Sequence, residues 1–371
     1  MSENMENLGY VIWEKIPESC MNELGSADLA GYRESTMQTI DDLKARRVRR
    51  IRLGVSWAEW SSPGGKACIQ WYLKRYAQDG FDILPCLCFT PADLSMNGKC
   101  TGPPKDTVMY AMFVYDVAQY CKMSGIRIEF IEHWNEWAMG TDYDQSCDPE
   151  HSILARMLTG GCVMARRLGL KNLLGGMAGV DKTNLALMSN LVSKGAAGYF
   201  DSIGFHSLRG TWSDQDFPGS LFDQARSVAH TVRNTRVWLT ELSFPTTGLH
   251  APGSIAEHRL EEIQVAIYAD ALAHVLNGFP ERIYWFALRD RRVPTLRSIH
   301  TGWQDPLQFH FGDSHEDGSP KLLGRLLIEG GQEAVAEYAK KNLDVPALLR
   351  EASLRRLPPR DFERESAKPP I

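Results

Sequence analysis

IRIEFIEHWNE, residues 126–136, is a run of β-branched and aromatic residues that ends in histidine, tryptophan, asparagine and glutamate. Similar runs recur along the chain, and stretches with apolar residues at helical spacing separate them. This alternation predicts parallel strands that are joined by crossover helices. The other runs cover residues 10–13, 50–57, 81–89, 172–180, 200–207, 236–244 and 282–288.

About eight strand and helix units of this kind predict a closed (β/α)8 barrel, the TIM barrel, as a single domain. An open nucleotide-binding sheet would carry a glycine-rich turn after its first strand, whereas WEKIP follows here at residues 13–17. We place the barrel in residues 1–330. Residues 331–371 are predicted to form a closing helix and a loosely attached tail, because the last 15 residues are rich in proline and arginine.

Composition narrows the choice of partners. The 371 residues contain 41 Lys and Arg against 46 Asp and Glu, so the net charge of -5 does not favour a nucleic-acid binder. No apolar run approaches the ~20 residues of a membrane span. The first residues, MSENMENLGY, lack the basic and apolar regions of a secretory signal, and we therefore expect a cytoplasmic protein.

Polar residues at strand ends are the candidates for chemistry, because active sites of such barrels lie at the carboxyl ends of the strands. Glu136 ends the fourth run and Glu241 lies near the end of the seventh, so their carboxylates can face each other across the barrel mouth. Cleavage of a glycosidic bond with retention uses two carboxyl groups about 5 to 5.5 Å apart. At that separation mutual repulsion of roughly 3 kcal/mol keeps one of them protonated.

The pair Asn135-Glu136 together with Glu241 resembles the defining pattern of clan A glycoside hydrolases. The chain is most similar to the β-xylosidase-like members near glycoside hydrolase family 39, with family 5 as the second choice. The resemblance implies a retaining hydrolase that acts on an O-glycosidic bond. It makes Glu136 the general acid/base and Glu241 the nucleophile. It also implies a carbohydrate substrate and no cofactor.

The resemblance extends to three further strand ends. Arg52 in IRLGVSW matches the strand-two arginine of the clan, His206 in IGFHS its strand-six histidine, and Trp285 in IYWFAL its strand-eight aromatic residue. These matches imply that Arg52 orients Glu241 and that His206 contacts the substrate or Glu241. They also imply that the ring of Trp285 forms the floor of the sugar-binding site. Asn135 would donate a hydrogen bond to the sugar 2-hydroxyl.

Each of these residues also has a purely structural interpretation. Asn135 can cap a helix, Arg52 can form an ion pair in the barrel wall, and His206 can be a core histidine. Three further tryptophans near strand ends or in loops over the mouth are candidates to stack on a sugar ring, although each can equally serve in packing. They are Trp57, Trp137 and Trp212.

Three other functions share part of this pattern. A metal-dependent barrel enzyme could use Glu136, His206 and Glu241 as ligands, but the strand ends contain neither a His-x-His pair nor an Asp-rich cluster, so we expect no metal. A glycan-binding barrel without activity would not need both glutamates. A transglycosylase would share every residue, because it differs only in the acceptor of the glycosyl intermediate.

Overall fold

The computed structural model describes residues 8–22, 28–138, 142–208, 221–233, 236–247, 256–291 and 310–354. Within these residues, eight parallel strands pair in sequence order, and β1 also pairs with β8, which closes the barrel. The predicted (β/α)8 barrel is confirmed. The strands are β1 (Leu8–Ile12), β2 (Arg50–Ser56), β3 (Asp82–Cys88), β4 (Phe130–His133), β5 (Lys171–Met177), β6 (Ser202–Leu208), β7 (Val237–Ser243) and β8 (Arg282–Trp285).

Helices connect the strands and cover the outside of the barrel, as crossover connections require. Two 3-10 segments, Gln145–Cys147 and Ala196–Tyr199, supplement them. The helices of the described residues are α1 (Glu18–Asn22), α2 (Asp28–Ala45), α3 (Trp57–Trp60), α4 (Pro63–Gln78), α5 (Thr107–Met123), α6 (Ser152–Arg167), α7 (Lys182–Ser193), α8 (Leu221–Val232), α9 (Glu257–Leu276), α10 (Leu322–Asn342) and α11 (Val345–Leu354).

The barrel wall separates two apolar clusters, because side chains of a strand point alternately to its two faces. The larger cluster fills the layer between strands and helices. The smaller one fills the barrel interior, and two partly buried aromatic residues, Trp13 and Phe286, pack against it. The interior residues are Val11, Leu84, Phe130, Leu173, Trp238 and Tyr284. This packed plug leaves the carboxyl ends of the strands as the open face.

The carboxyl-terminal part of the described chain packs against the barrel. Helix α10 is interrupted at Gly331, whose φ of 69° lies in the left-handed region that glycine adopts readily. Helix α11 contacts α9, and Arg259 of α9 forms an ion pair with Glu351 of α11 at 2.9 Å. The predicted boundary at residue 331 thus falls within α10, and the predicted tail beyond residue 354 lies outside the described residues. No described helix is both long and apolar enough to span a membrane.

Candidate active site

Arg52 lies at the centre of a polar cluster inside the carboxyl end of the barrel. Its guanidinium is fully buried, and it donates hydrogen bonds to Glu241 Oε1 at 2.7 Å and to Asn135 Oδ1 at 2.6 Å. It therefore contacts Glu241, as the resemblance implied, and also Asn135, for which the sequence predicted no contact with Arg52. A buried guanidinium requires such acceptors, because an unpaired charge inside a protein is strongly unfavourable.

Glu132 is the main partner of Arg52 that the sequence analysis did not identify. Its two carboxylate oxygens accept hydrogen bonds from Arg52 Nε and Nη2, and Oε1 also accepts one from the Gly176 amide at 3.2 Å. Strand alternation was the available signal, since Glu132 and Phe130 lie two residues apart on one strand and therefore share its inner face. An acid that faces the inside of a packed barrel needs a cation, and Arg52 supplies it.

Glu136 follows a sharp change of backbone direction after β4. Trp134 and Glu136 have φ values of 68° and 40°, in the left-handed region that residues other than glycine rarely adopt. The Glu136 amide donates to the carbonyl of Gly176 on β5 at 3.0 Å, which fixes the turn. The alternative role of Asn135 as a helix cap is not observed, because no helix begins at this residue. Unusual backbone of this kind is frequent where a side chain must be held for function.

Glu136 and Glu241 face each other across the mouth. One carboxylate oxygen of each, together with a ring nitrogen of His206, lie within 4.8 Å of one another. His206 Nδ1 is 2.9 Å from Glu136 Oε1 and 3.7 Å from Glu241 Oε2. The Glu136 side chain remains 17% exposed, whereas that of Glu241 is 7% exposed. The pair thus offers one solvent-accessible carboxyl and one that is held from behind by Arg52.

Burial is the largest cause of the pKa shifts of Glu241 and His206. Burial raises the pKa of Glu241, while His206 and Arg52 lower it and the negative charge of Glu136 raises it further. Burial lowers the pKa of His206 to about 4, although the nearby Glu241 opposes that shift. The imidazole is therefore neutral near pH 7. Its Nε2 is buried without a hydrogen-bond partner in the described part of the chain, at a point where a Cβ on Gly176 would approach within 2.2 Å.

Asn135 connects Arg52 with a second acid that the sequence analysis missed. Its Nδ2 donates a hydrogen bond to Asp142 Oδ2 at 2.6 Å, while its Oδ1 accepts the bond from Arg52. Asp142 is 8% exposed, and burial followed by the charge of Glu136 raises its pKa to about 7. No local pattern marked this residue, because it lies in the loop after β4 and not at a strand end.

The structure corrects the expectation for Trp285. Its side chain is fully buried in the outer cluster, with its ring centroid 5.4 Å from that of Tyr268 on α9. Its neighbour Phe286 is the residue that packs on the barrel interior and remains partly exposed, and the guanidinium of Arg291 lies 5.6 Å from the centre of its ring. The IYWFAL motif covers the end of β8, but the side chain that reaches the mouth is that of Phe286.

Two further tryptophans are buried in the apolar cluster between strands and helices. Trp57 is 4% exposed and stacks on Phe113 of α5 with ring centroids 5.6 Å apart. Trp137 is fully buried, and its indole nitrogen donates to the Gly175 carbonyl at 2.9 Å. These contacts correspond to the structural interpretation of both residues. Trp212 lies outside the described residues.

Trp13 is an aromatic residue of the mouth that the sequence analysis did not select. It follows β1, packs on the interior cluster, and lies 5.7 Å from the Arg52 guanidinium. A Cβ on Gly54 would come within 1.9 Å of the Trp13 ring, so glycine at this position of β2 makes room for the indole. Trp13 and Phe286, which follow β1 and β8, are therefore two partly exposed aromatic side chains of the described residues that pack on the interior cluster.

His133 lies in the outer layer, on the face of β4 opposite to that of Glu132. Its Nε2 is 2.8 Å from Asn172 Oδ1, and burial lowers its pKa to about 4.

Two groups of three side chains hold their ligand atoms close enough together to bind a divalent cation. The first group is Glu136, His206 and Glu241, and the second is Glu257, Glu261 and His315. In the first trio a bound cation would compete with Arg52 for Glu241, because both positive charges would meet one carboxylate.

Neither a protein-family model nor a curated protein sequence matches the chain. Solved structures are similar in fold. An endo-laminarinase from Formosa Hel1_33_131 aligns with a TM-score of 0.58 at 12% identity and covers 95% of both chains. Fungal β-1,4-galactanase aligns at 0.56 and 14% identity, over 79% of this chain and 90% of the other. A glucosidase from Croceicoccus marinus aligns at 0.55 and 14% identity, over 78% of this chain but only 63% of the other. At these low identities, the TM-scores show a shared barrel fold.

Proposed function

We propose that this chain is a retaining glycoside hydrolase of the clan A type, with Glu136 as general acid/base and Glu241 as nucleophile. The observation that carries the proposal is the carboxylate pair, whose oxygens lie within 4.8 Å across the carboxyl end of a (β/α)8 barrel. Retaining enzymes hold their two carboxyl groups about 5 to 5.5 Å apart, whereas inverting enzymes need roughly 6.5 to 9.5 Å to admit a water molecule. The similar barrels of three carbohydrate-active proteins support the same class.

The first step would transfer the glycosyl group to the protein. Glu136 in its protonated form gives its proton to the glycosidic oxygen, and the bond from that oxygen to the anomeric carbon breaks. Glu241 Oε attacks the anomeric carbon and forms a glycosyl ester. Arg52 supports this role, because a positive charge at 2.7 Å favours the ionised form of Glu241 against the effect of burial.

The second step would release the sugar. Glu136, now ionised, takes a proton from a water molecule as that water attacks the anomeric carbon, and the ester bond to Glu241 breaks. His206 supports both steps, because its neutral ring contacts Glu136 at 2.9 Å and can fix the orientation of that carboxyl without adding charge. The products are the free sugar and the regenerated pair of glutamates.

The surroundings of the pair suit a sugar ring. Asn135 lies next to Glu136 in sequence and can donate to the 2-hydroxyl, a bond that strengthens in the transition state. Trp13 and Phe286 offer weakly hydrated aromatic surface for the apolar face of the ring. Among the finer assignments, we propose a member near family 39, because the sequence motifs resemble that family more than family 5.

A mechanism-based fluoro-sugar inhibitor tests this proposal directly. With an activated fluoro-glycoside from a panel of xylo-, gluco- and galactosides, the wild-type protein should gain one glycosyl adduct, located at Glu241 by peptide mass spectrometry. Glu241→Ala should gain none, and Glu136→Ala should lose activity on poor leaving groups first. Glu129→Ala is the matched control, since Glu129 lies 45% exposed beside Lys171 and Arg282 just before β4.

The outcomes separate the alternatives. An adduct on Glu241 with release of free sugar identifies a hydrolase, and an adduct that is passed mainly to a sugar acceptor identifies a transglycosylase. Binding of glycans without adduct or turnover across the panel would contradict the catalytic assignment and indicate a glycan-binding barrel.

A further inference from the structure

Asp142 is a buried acid that the two steps above do not use. It follows β4 by nine residues, and its chain is tied back to the end of that strand twice. The indole nitrogen of Trp134 donates to the Asp142 carbonyl at 3.0 Å, and Asn135 Nδ2 donates to the Asp142 carboxylate at 2.6 Å. Both partners immediately precede Glu136, so Asp142 is attached to the segment that carries Glu136.

The two neighbours of Asn135 determine the orientation of its amide. Arg52 has only donors, and an ionised Asp142 has only acceptors. The amide oxygen must therefore face Arg52, at 2.6 Å, and the amide nitrogen must face Asp142. The reversed amide would direct its N–H groups at a guanidinium and its oxygen at a carboxylate, and would lose both hydrogen bonds. One N–H of Asn135 is donated to Asp142, and the second has no acceptor among the described residues.

We propose that Asp142 is a positioning residue, which locks the Asn135 amide so that its second N–H is presented to the 2-hydroxyl of the bound sugar. This inference rests on the proposed glycosidase function. Without Asp142 the amide would be held at one end only, by Arg52, and could turn about that single hydrogen bond. A donor that must meet a transition state within a few tenths of an ångström would then be less well placed.

The charges around Asp142 make this arrangement depend on pH. Burial and the negative charge of Glu136 raise the pKa of Asp142, whereas the hydrogen bond from Asn135 and the charge of Arg52 lower it. The resulting pKa is about 7. The thiols of Cys88 and Cys100 are the other titratable groups that interact with it. Asp142 is therefore ionised, and an acceptor only, above about pH 7. Protonation at lower pH weakens the bond that it accepts from Asn135.

Paired substrates test the positioning role. Asp142→Ala should lower kcat about 10- to 100-fold on an activated aryl glycoside, the loss expected for a misplaced hydrogen bond to the transition state, with KM nearly unchanged. On the matching 2-deoxy glycoside, which has no 2-hydroxyl to contact, the loss should stay below about threefold. Asp142→Asn keeps an acceptor oxygen, so it should retain most of the activity but lose the pH dependence near 7 that Asp142 contributes.

Matched variants separate positioning from a general effect on the loop. Asp144 is an acid of the same loop, but it accepts hydrogen bonds from Asn97 and Ser146 and not from Asn135. Asp144→Ala should therefore leave kcat on both substrates unchanged. Asn135→Ala should show the same substrate selectivity as Asp142→Ala, and the double variant should be no worse than Asn135→Ala alone. Equal losses on both substrates, or additive losses in the double variant, would overturn the proposal.

A crystal structure of Asp142→Ala gives a result that does not depend on activity. The Asn135 amide should leave its position between residues 52 and 142, and an unchanged amide would refute the positioning role even in an active enzyme. If the wild-type protein turns over no glycoside while the amide moves as expected, the proposed function fails and the structural role of Asp142 stands.

Discussion

Arg52 Nη1 lies 2.7 Å from Glu241 Oε1, and the same guanidinium forms an ion pair with Glu132. One fully buried cation thus serves two buried carboxylates that belong to strands on different sides of the barrel. Its attraction to Glu132 fixes the guanidinium, and the fixed guanidinium in turn orients Glu241. Catalysis and stability therefore both depend on Arg52, and substitutions of Arg52 and Glu132 should separate the two contributions.

Arg52→Ala should destabilise the protein by about 3 to 5 kcal/mol, because it leaves the buried Glu132 charge without a partner. The double variant Arg52→Ala with Glu132→Gln should recover much of that loss in urea unfolding but none of the activity. Arg52→Lys keeps the charge without the planar fork, and kcat/KM should fall about 100-fold through misplacement of Glu241. Unchanged kcat/KM in Arg52→Lys would show that Glu241 is not oriented by this residue.

The acidic limb of the pH profile should lie above the ordinary glutamate range. Glu241 must be ionised to attack, and burial raises its pKa from 4.5, so activity should be lost as the pH falls through a value above 4.5. Glu136→Gln should leave the limb in place, because Glu136 is protonated and uncharged when it serves as the acid in this step. The burst rate on a glycoside with an activated leaving group measures this step, and a limb that moves to lower pH would show that Glu136 is ionised in this range and raises the pKa of Glu241.

Substitutions at Trp285 and Phe286 should have different effects. Trp285→Ala removes a fully buried ring in the sheet-helix layer and should cost about 3 to 5 kcal/mol of unfolding free energy. Phe286→Ala removes a partly exposed ring at the mouth, so it should lower kcat/KM with a smaller loss of stability. Thermal unfolding and steady-state kinetics of both variants provide the measurement. If Trp285→Ala mainly lowers kcat/KM and Phe286→Ala mainly lowers stability, Trp285 is the residue that stacks on the sugar.

Acid should destabilise the fold through two buried histidines. The pKa values of His133 and His206 are lowered from 6.5 to about 4, so between these values the unfolded chain binds protons that the folded protein does not. Stability is therefore lost as the pH falls from 6.5 to 4, by roughly 3 kcal/mol per histidine. His133→Gln should flatten the slope of unfolding free energy near pH 5 by about 1.4 kcal/mol per pH unit.

The exposed His258 is the control for this experiment. His258→Gln should leave the slope as in the wild-type protein, because this side chain is exposed. A His133→Gln variant with the wild-type slope would mean that His133 does not resist protonation in the folded state.

Removal of divalent cations should leave glycosidase activity unchanged. The trio Glu136, His206 and Glu241 could bind a cation, but the proposed reaction uses two carboxyl groups and water alone. Activity after exhaustive chelation, with metal analysis of the purified protein, provides the measurement. Loss of turnover that returns with a specific cation would instead support the metal-dependent barrel enzyme.

The barrel and the two glutamates could be predicted because they depend on local properties of the chain. Apolar runs of strand length alternate with helical periodicity, and a polar residue that ends such a run must lie at the carboxyl face of the sheet. That rule located Glu136 and Glu241, whereas Arg52 was identified by the resemblance and by its position within an apolar strand, where a cation needs a partner. None of these inferences required knowledge of which distant residues meet.

The exact face of each aromatic side chain could not be predicted in the same way. The pairing of β7 with β8 shifts register between Leu239 and Leu242, and that of β6 with β7 shifts at His206. A shift of one residue exchanges the inside and the outside of a strand. The resemblance assigned the sugar site to Trp285, whereas Tyr284 packs in the barrel interior and Phe286, two residues further on, packs against it.

The sequence by itself determined the architecture and the identity of the acids at the strand ends, because periodicity and strand-end position are written along the chain. Only the tertiary structure decided how Arg52 is shared between Glu132 and Glu241, and that Asp142 meets Asn135. Arg52 and Glu241 are separated by 189 residues, and Asp142 comes from a loop without regular period. Contacts of this kind arise from closure of the barrel and from the paths of its loops, which no local pattern encodes.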